Sequence, residues 1–300
     1  MTSKLNGIKL FAETGCDYLS SQFKKTLYCV SFRTPNWGDY LNKVLIEKIT
    51  GANVHIVHIN YLKKNWLNNL YKNKKCFTAI GSIMHYVPED AFVWGTGCVY
   101  YSAKLAINPK KVLSVRGPMT ATVLNNSGID CPALYGDPAL LFGKYIDNKH
   151  LHNKEIKIGI IPHMSEQEMA VVKKLSEFDE VKIINIEDDF YSVIEQVSKC
   201  EIILSSSLHG LMLADILEIP NTWVRFRDDF PGDGFKFNDY YSSIKNCKEM
   251  DLKPYFFSEQ DNLNNDLQAA LISSEVHGHH LDLGELEGVF VNHLESIGAL

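Results

Sequence analysis

The chain has 300 residues, 45% of them hydrophobic and 22% charged, and a formal net charge of −6. That length suits two domains of roughly 150 residues, each able to bury a full core. The acidic balance supplies no basic excess to neutralise a nucleic-acid backbone, although a local basic pocket for a small anion stays open. No apolar run is long enough to span a bilayer. The opening "MTSKLNGIKLFAETG" lacks the apolar core of a secretion signal, which points to a cytoplasmic protein. The seven cysteines, Cys16, Cys29, Cys76, Cys98, Cys131, Cys200 and Cys247, are scattered and never form C-x-x-C. Reduced, structural thiols fit that pattern better than a zinc site.

In chain order, "KTLYCVSF" reads as a strand and "GDYLNKVLIEKITGA" as a helix stopped by Gly51. "ANVHIVHI", "CFTAIGS" and "AFVWGTG" follow as short apolar strands. "KVLSVRG" is another, and "PMTATVLNNSG" behind it has proline at the first helical position and glycine as the stop. After "YGDPALLF" the polar "GKYIDNKHLHNKE" reads as a linker. A second series then runs strand "IKIGIIPH", helix "SEQEMAVVKKLSEF", strand "EVKIINI", helix "DFYSVIEQVSKC", strand "EIILSS", helix "LHGLMLADILEI" and strand "NTWVRF". Beyond Lys248, "NDLQAALISSEV" and "ELEGVFVNHLESI" read as helices. Such alternation marks parallel sheets covered by helices. The fold class is therefore α/β, with two Rossmann-like domains, residues 1–145 and 155–300, facing a cleft at the carboxyl ends of their strands.

The stretch "LSSSLHGLMLADILEIP" places Ser205, Ser206, Ser207 and His209 at the mouth of a helix. Free N–H groups and the positive end of the helix dipole make such a turn a seat for phosphate or carboxylate. His209 would hydrogen-bond that anion or move a proton beside it. Ordinary serine capping explains the same residues without any ligand.

The segments "RTPNWGDYLNKVLIEKITG", "LSVRGPMTATVL", "YGDPALLF", "SSSLHGLMLADILEIPNTWV" and "FKFNDYYSSI" occur in this order. Together, from about Ser31 to Ser243, they resemble the polysaccharide pyruvyl transferase family. The resemblance implies a two-domain, glycosyltransferase B-like architecture, with the N-terminal domain on the acceptor side and the C-terminal domain on the donor side. It also implies transfer of a pyruvyl group from phosphoenolpyruvate onto two hydroxyls of a sugar, closing a ketal, with no metal or other cofactor. The acceptor would be a sugar or lipid-linked oligosaccharide of surface polysaccharide or capsule assembly, which allows peripheral association with the inner face of the plasma membrane.

The family motif usually carries an arginine just before its Leu-His pair, and that arginine and the histidine serve donor binding and catalysis. Here the histidine position is His209 and the arginine position is Ser207, so another cation must serve the donor, or the donor differs. Arg116, at a strand end before Pro118, and Lys236, between aromatics, are the candidate donor-binding cations, with Arg33, Arg225 and Arg227 behind them. Asn36, Gly38 and Asp39 lie where the first strand gives way to its helix. Asn36 and Gly38 are assigned to the acceptor, and Asp39 either complements the helix dipole or serves as a catalytic base. Asp137 precedes a proline, where it organises a turn or faces the acceptor. Gly95 and Gly97 would let backbone approach a ligand. The clusters His277–His280 and Glu187–Asp189 read as solvated residues and a helix start, not as metal sites. Two rival functions remain at this stage: a nucleotide-sugar-dependent glycosyltransferase of the same fold, and a non-catalytic sugar- or anion-binding protein.

Overall fold

A computed structural model describes residues 26–62, 71, 74–229, 232–257 and 262–300. The amino-terminal stretch read above for a secretion signal, and Cys16, lie outside the described residues. The six described cysteines are free, and four are buried.

The first sheet is fully parallel and contains β1 (Thr26–Ser31), β2 (Asn53–His58), β3 (Cys76–Thr78), β4 (Phe92–Trp94) and β5 (Lys111–Ser114), in the order β2-β1-β3-β4-β5. Its strands read as continuous apolar runs because helices cover both faces. Helix α1 (Trp37–Thr50) starts where Asn36 accepts the Gly38 N–H and buries Trp37, Leu41, Leu45 and Ile46 along one face. Helix α2 (Pro118–Asn126) follows β5, with proline in its first turn.

The second sheet, also parallel, contains β6 (Ile156–Ile161), β7 (Val181–Ile183), β8 (Cys200–Ser205), β9 (Asn221–Arg225) and β10 (Tyr255–Phe256), in the order β10-β9-β8-β6-β7. Helices α3 (Ala170–Leu175), α4 (Phe190–Ser198), α5 (Leu208–Ile216) and α6 (Phe235–Ile244) intervene, and α7 (Leu263–Ile272) and α8 (Leu283–Ser296) close the chain. Helix α5 buries Leu208, Gly210, Leu211, Met212, Leu213 and Ala214, almost its whole circumference, as a helix enclosed by protein must.

Each sheet reverses direction of growth once, between β1 and β3 in the first and between β6 and β8 in the second. Such switch points open a crevice beyond the carboxyl ends of the strands, where α/β proteins hold ligands. In the first, buried Asn42 clamps the crevice: its Nδ2 donates to Ile80 O and Ser31 Oγ, and its Oδ1 accepts from Ile80 N. In the second, the residues after β6 face those after β8. The two units also touch: Trp37 N–H donates to Ile186 O at 2.9 Å, and the Trp37 ring stacks on Phe190 at 5.5 Å.

Three elements differ from their sequence pattern. The helix expected over residues 165–178 shrinks to Ala170–Leu175, because residues 163–166 are held in turns against the start of α5. The polar stretch after Gly143 is not loose. His150 stacks on Tyr191 at 4.4 Å, and its Nδ1 sits 2.7 Å from Glu195 Oε1. Helix α8 packs on the first sheet although it comes last in the chain. Its Phe290 stacks on Trp94 at 4.0 Å, and Trp94 Nε1 donates to Leu286 O at 2.7 Å. Truncating that stack, Phe290→Ala, is expected to cost about 3–5 kcal/mol in denaturant unfolding. Ile272→Ala, at a position 86% exposed, should stay within about 0.5 kcal/mol.

Candidate active site

His209 sits in the first turn of α5, half-buried, and reaches across to the other unit: its Nδ1 lies 2.8 Å from Asn36 Oδ1. That oxygen also accepts the Gly38 N–H at 3.1 Å, which fixes the orientation of the Asn36 amide. An amide oxygen only accepts, so the imidazole must donate from Nδ1 and keep its lone pair on Nε2. Gly38 is there for contact: a β-carbon at that position would fall 2.1 Å from the imidazole ring. The "NWGD" turn is thus a cradle for His209. Asn36 and Gly38, assigned from sequence to an acceptor, are the residues that seat the imidazole.

Burial first, then the Lys236 ammonium, His163 and the Arg116 guanidinium, push His209 down to about 3. The imidazole is neutral at ordinary pH and offers a lone pair. Lys236, half-buried on α6 with its ammonium 5.2 Å from the centre of the Phe237 ring, is itself lowered to about 8 by burial and by Arg116. Its amine stays mostly charged at neutral pH and is the foremost cation acting on His209.

The three serines divide their labour. Ser205 Oγ lies 2.8 Å from Ile161 O and 2.9 Å from Ser207 O, its single O–H donating to one of the two, and accepts from Ser207 N. Ser206 Oγ donates to Glu166 Oε2 and accepts the His163 N–H. Both hydroxyls therefore close the turn. Ser207 caps α5 with its backbone alone, its side chain making no capping bond. What this turn offers a ligand is mainly backbone N–H at a helix start, together with the Ser207 hydroxyl.

Arg116 has a different place from the one its motif suggests. It is completely buried. Nε donates to Asp239 Oδ2 at 3.0 Å, Nη1 to Ser82 Oγ at 2.6 Å and Nη2 to Cys98 O at 2.7 Å. Asp239, on α6, also accepts Thr120 N–H at 2.8 Å and Thr120 Oγ–H at 2.7 Å, so it caps α2 from another element. Gly97 and Gly117 make this packing possible: β-carbons there would fall 2.4 Å from the guanidinium and 2.0 Å from Asp239 O. Gly97 therefore admits a protein side chain, where the sequence suggested a ligand. The guanidinium is committed to protein partners and reaches the site through its charge on His209 and Lys236.

Asp39 receives the Thr34 hydroxyl on Oδ2, and burial lifts its carboxyl to about 6. Asp137 is fully buried and caps the short helical run after it, Oδ1 accepting Ala139 N–H at 3.0 Å; burial lifts it to about 7. From sequence Asp137 either organises a turn or faces the acceptor; the described contacts of its side chain are those of a cap. Arg227 pairs with Asp229, and Arg225 donates to the carbonyls of Arg227 and Asp228. Asp239, His163 and Glu166 were not singled out from sequence. Asp239 hides inside an aromatic helix, and "IIPHMSE" looks like a strand running into a helix.

An α/β chain with a half-buried, neutral imidazole and an ammonium at a helix start has the makings of a group-transfer enzyme that handles an anion. Residues 36–227 match the family model of polysaccharide pyruvyl transferase. The chain belongs to that family and is a transferase. It is 32% identical over 224 residues to an uncharacterised protein of Acanthamoeba polyphaga mimivirus, covering 73% of this chain and 75% of that one. It is 25% identical over 154 residues to the succinoglycan biosynthesis protein ExoV of Rhizobium meliloti, covering 51% of this chain and 47% of ExoV. Among solved structures, the UDP-GlcNAc 2-epimerase of Methanocaldococcus jannaschii aligns with 90% of this chain and 99% of its own at 12% identity, with a TM-score of 0.47. No described helix is long and apolar enough to cross a membrane.

Breaking a buried ion pair leaves a charge without its partner. Arg116→Ala is therefore expected to lower unfolding free energy by about 3–5 kcal/mol. A double-mutant cycle with Asp239→Asn should show strong coupling, and additive losses would mean that the two residues do not act as a pair.

Proposed function

We propose that the chain transfers a pyruvyl group from phosphoenolpyruvate onto two hydroxyls of a sugar, forming a cyclic ketal, on a two-domain glycosyltransferase B-like scaffold. The observation that carries this reading is the His209 imidazole at the start of α5, held by Asn36 through Nδ1 so that its lone pair stays on Nε2, in the field of the Lys236 ammonium. Lys236 and the α5 N–H groups bind the donor's anions, and Lys236 takes the part of the arginine replaced by Ser207.

His209 Nε2 takes the proton of the first sugar hydroxyl as that oxygen bonds to the enol carbon, and passes it to the methylene, which becomes the methyl group. A depressed pKa suits this step, since an imidazolium that loses its proton readily is an effective acid toward carbon. The carbon–oxygen bond to phosphate then breaks. The second hydroxyl adds to the same carbon, and its proton leaves with the phosphate, so the two hydroxyl protons end on methyl and phosphate. Asp39, the carboxylate one residue past Gly38, is the base for that second hydroxyl. Preorganised charge around the departing phosphate supplies much of the rate.

The reading is tested by mass spectrometry of sugar acceptors after incubation with phosphoenolpyruvate. A pyruvate ketal together with released phosphate supports it. Modification only from a nucleotide sugar overturns it. With a substrate in hand, His209→Ala should cut turnover by about two to four orders of magnitude, and His209→Gln should keep donor binding while remaining slow.

The pH profile of kcat/KM has a definite form. Asp39 works as a carboxylate, so activity falls as pH drops through about 6. Lys236 works as an ammonium, so activity falls as pH rises through about 8. Asp39→Asn should lower the rate and remove the acid limb, while Lys236→Met should remove the alkaline one. Limbs unchanged in these variants would assign the ionisations elsewhere.

A further inference from the structure

We propose that His163 is a second imidazole of the donor site, holding the donor's phosphoryl group through Nε2–H, with Glu166 as its positioning residue. The proposal deepens the function above and rests on it for the identity of the donor.

His163 follows β6 and Ser206 follows β8, so the two flank the switch point of the second sheet from opposite sides. Three hydrogen bonds close a ring around them. His163 N–H donates to Ser206 Oγ at 2.8 Å, Ser206 Oγ–H donates to Glu166 Oε2, and Glu166 N–H donates to His163 O at 2.7 Å. The loop "PHMSE" is thereby fastened to the turn that opens α5. The His163 ring has a defined tautomer as well. Ser165 N–H points at Nδ1 at 3.3 Å and the Ser165 hydroxyl lies 2.8 Å from it, so Nδ1 accepts and the proton sits on Nε2. The two imidazoles are therefore complementary: His209 presents a lone pair, and His163 presents a proton.

The charges agree with a phosphoryl ligand. Burial, then Lys236 and Arg227, lower His163 to about 4, so it donates as a neutral ring. Both cations also act on Glu166, whose carboxyl is raised by burial. Glu166 is fully buried, and its Oε1 has no hydrogen-bond partner among the described residues. Its other oxygen accepts from Ser206, so the carboxylate fixes the loop that carries His163. The nine-residue helix α5 adds its first N–H groups.

The test uses the full chain and titrates inorganic phosphate, then phosphoenolpyruvate, by calorimetry. His163→Ala should weaken phosphate about 10- to 100-fold, the worth of one hydrogen bond to a charged group. His163→Gln, which keeps a side-chain N–H, should recover most of that loss, and Glu166→Gln should fall between. The bonds that fasten the loop come from the His163 backbone, so thermal unfolding of the His163 variants should stay near that of the wild type. Equal phosphate affinity in wild type and His163→Ala would overturn the proposal. So would a wild type that binds no phosphate, or a Gln variant no better than Ala. Ketal formation is scored separately: its absence would remove phosphoenolpyruvate as the donor while the phosphate titration still decides the role of His163.

Discussion

The hydrogen bond between His209 Nδ1 and Asn36 Oδ1 is the constraint on which the site depends. It joins the switch point of one sheet to that of the other and sets the tautomer of the central imidazole. It also requires glycine at position 38, because the ring occupies the space of a β-carbon. Asn36 thus works twice, as the cap of α1 and as the anchor of His209, and neither task tolerates an apolar replacement. Trp37, next in the chain, packs on Phe190 and donates to Ile186 O, so the same short turn carries both polar and apolar contacts between the units.

A second bridge, Arg116–Asp239, shapes the electrostatic field at the candidate site. Its charges are buried and mutually satisfied, with Thr120, Ser82 and Cys98 O taking the remaining bonds. A buried ion pair is weak evidence for stability, but removing one partner is costly. The arrangement holds α6 against α2 and keeps a fixed positive group near Lys236 and His209. Burial first, and this guanidinium after it, lower both groups, so the ammonium can be neutralised and the imidazole is already neutral.

The strands and most helices were legible in sequence because both sheets are parallel and buried, and buried strands announce themselves as short apolar runs between turn residues. The start of α5 was legible from its serines. Their roles were not, since a hydroxyl that closes a turn and one that meets a ligand look the same in a string of letters. Arg116 read as a strand-end cation, and only the packing of Gly97, Gly117 and Asp239 around it shows that its guanidinium is turned to protein partners. Asp239 gave no signal because its partner lies more than a hundred residues away. The return of α8 to the first sheet was hidden for the same reason: the Trp94–Phe290 stack depends on long-range geometry that no local period records.

The central claim is that His209 is a neutral imidazole with its proton on Nδ1, held there by Asn36. It is tested most directly by nitrogen-15 NMR of the histidine ring across a pH titration. The account predicts an Nδ1–H tautomer that resists protonation until the pH approaches about 3, and its loss in Asn36→Ala. A ring that carries its proton on Nε2, or that titrates near the ordinary histidine range of about 6.5, would contradict it.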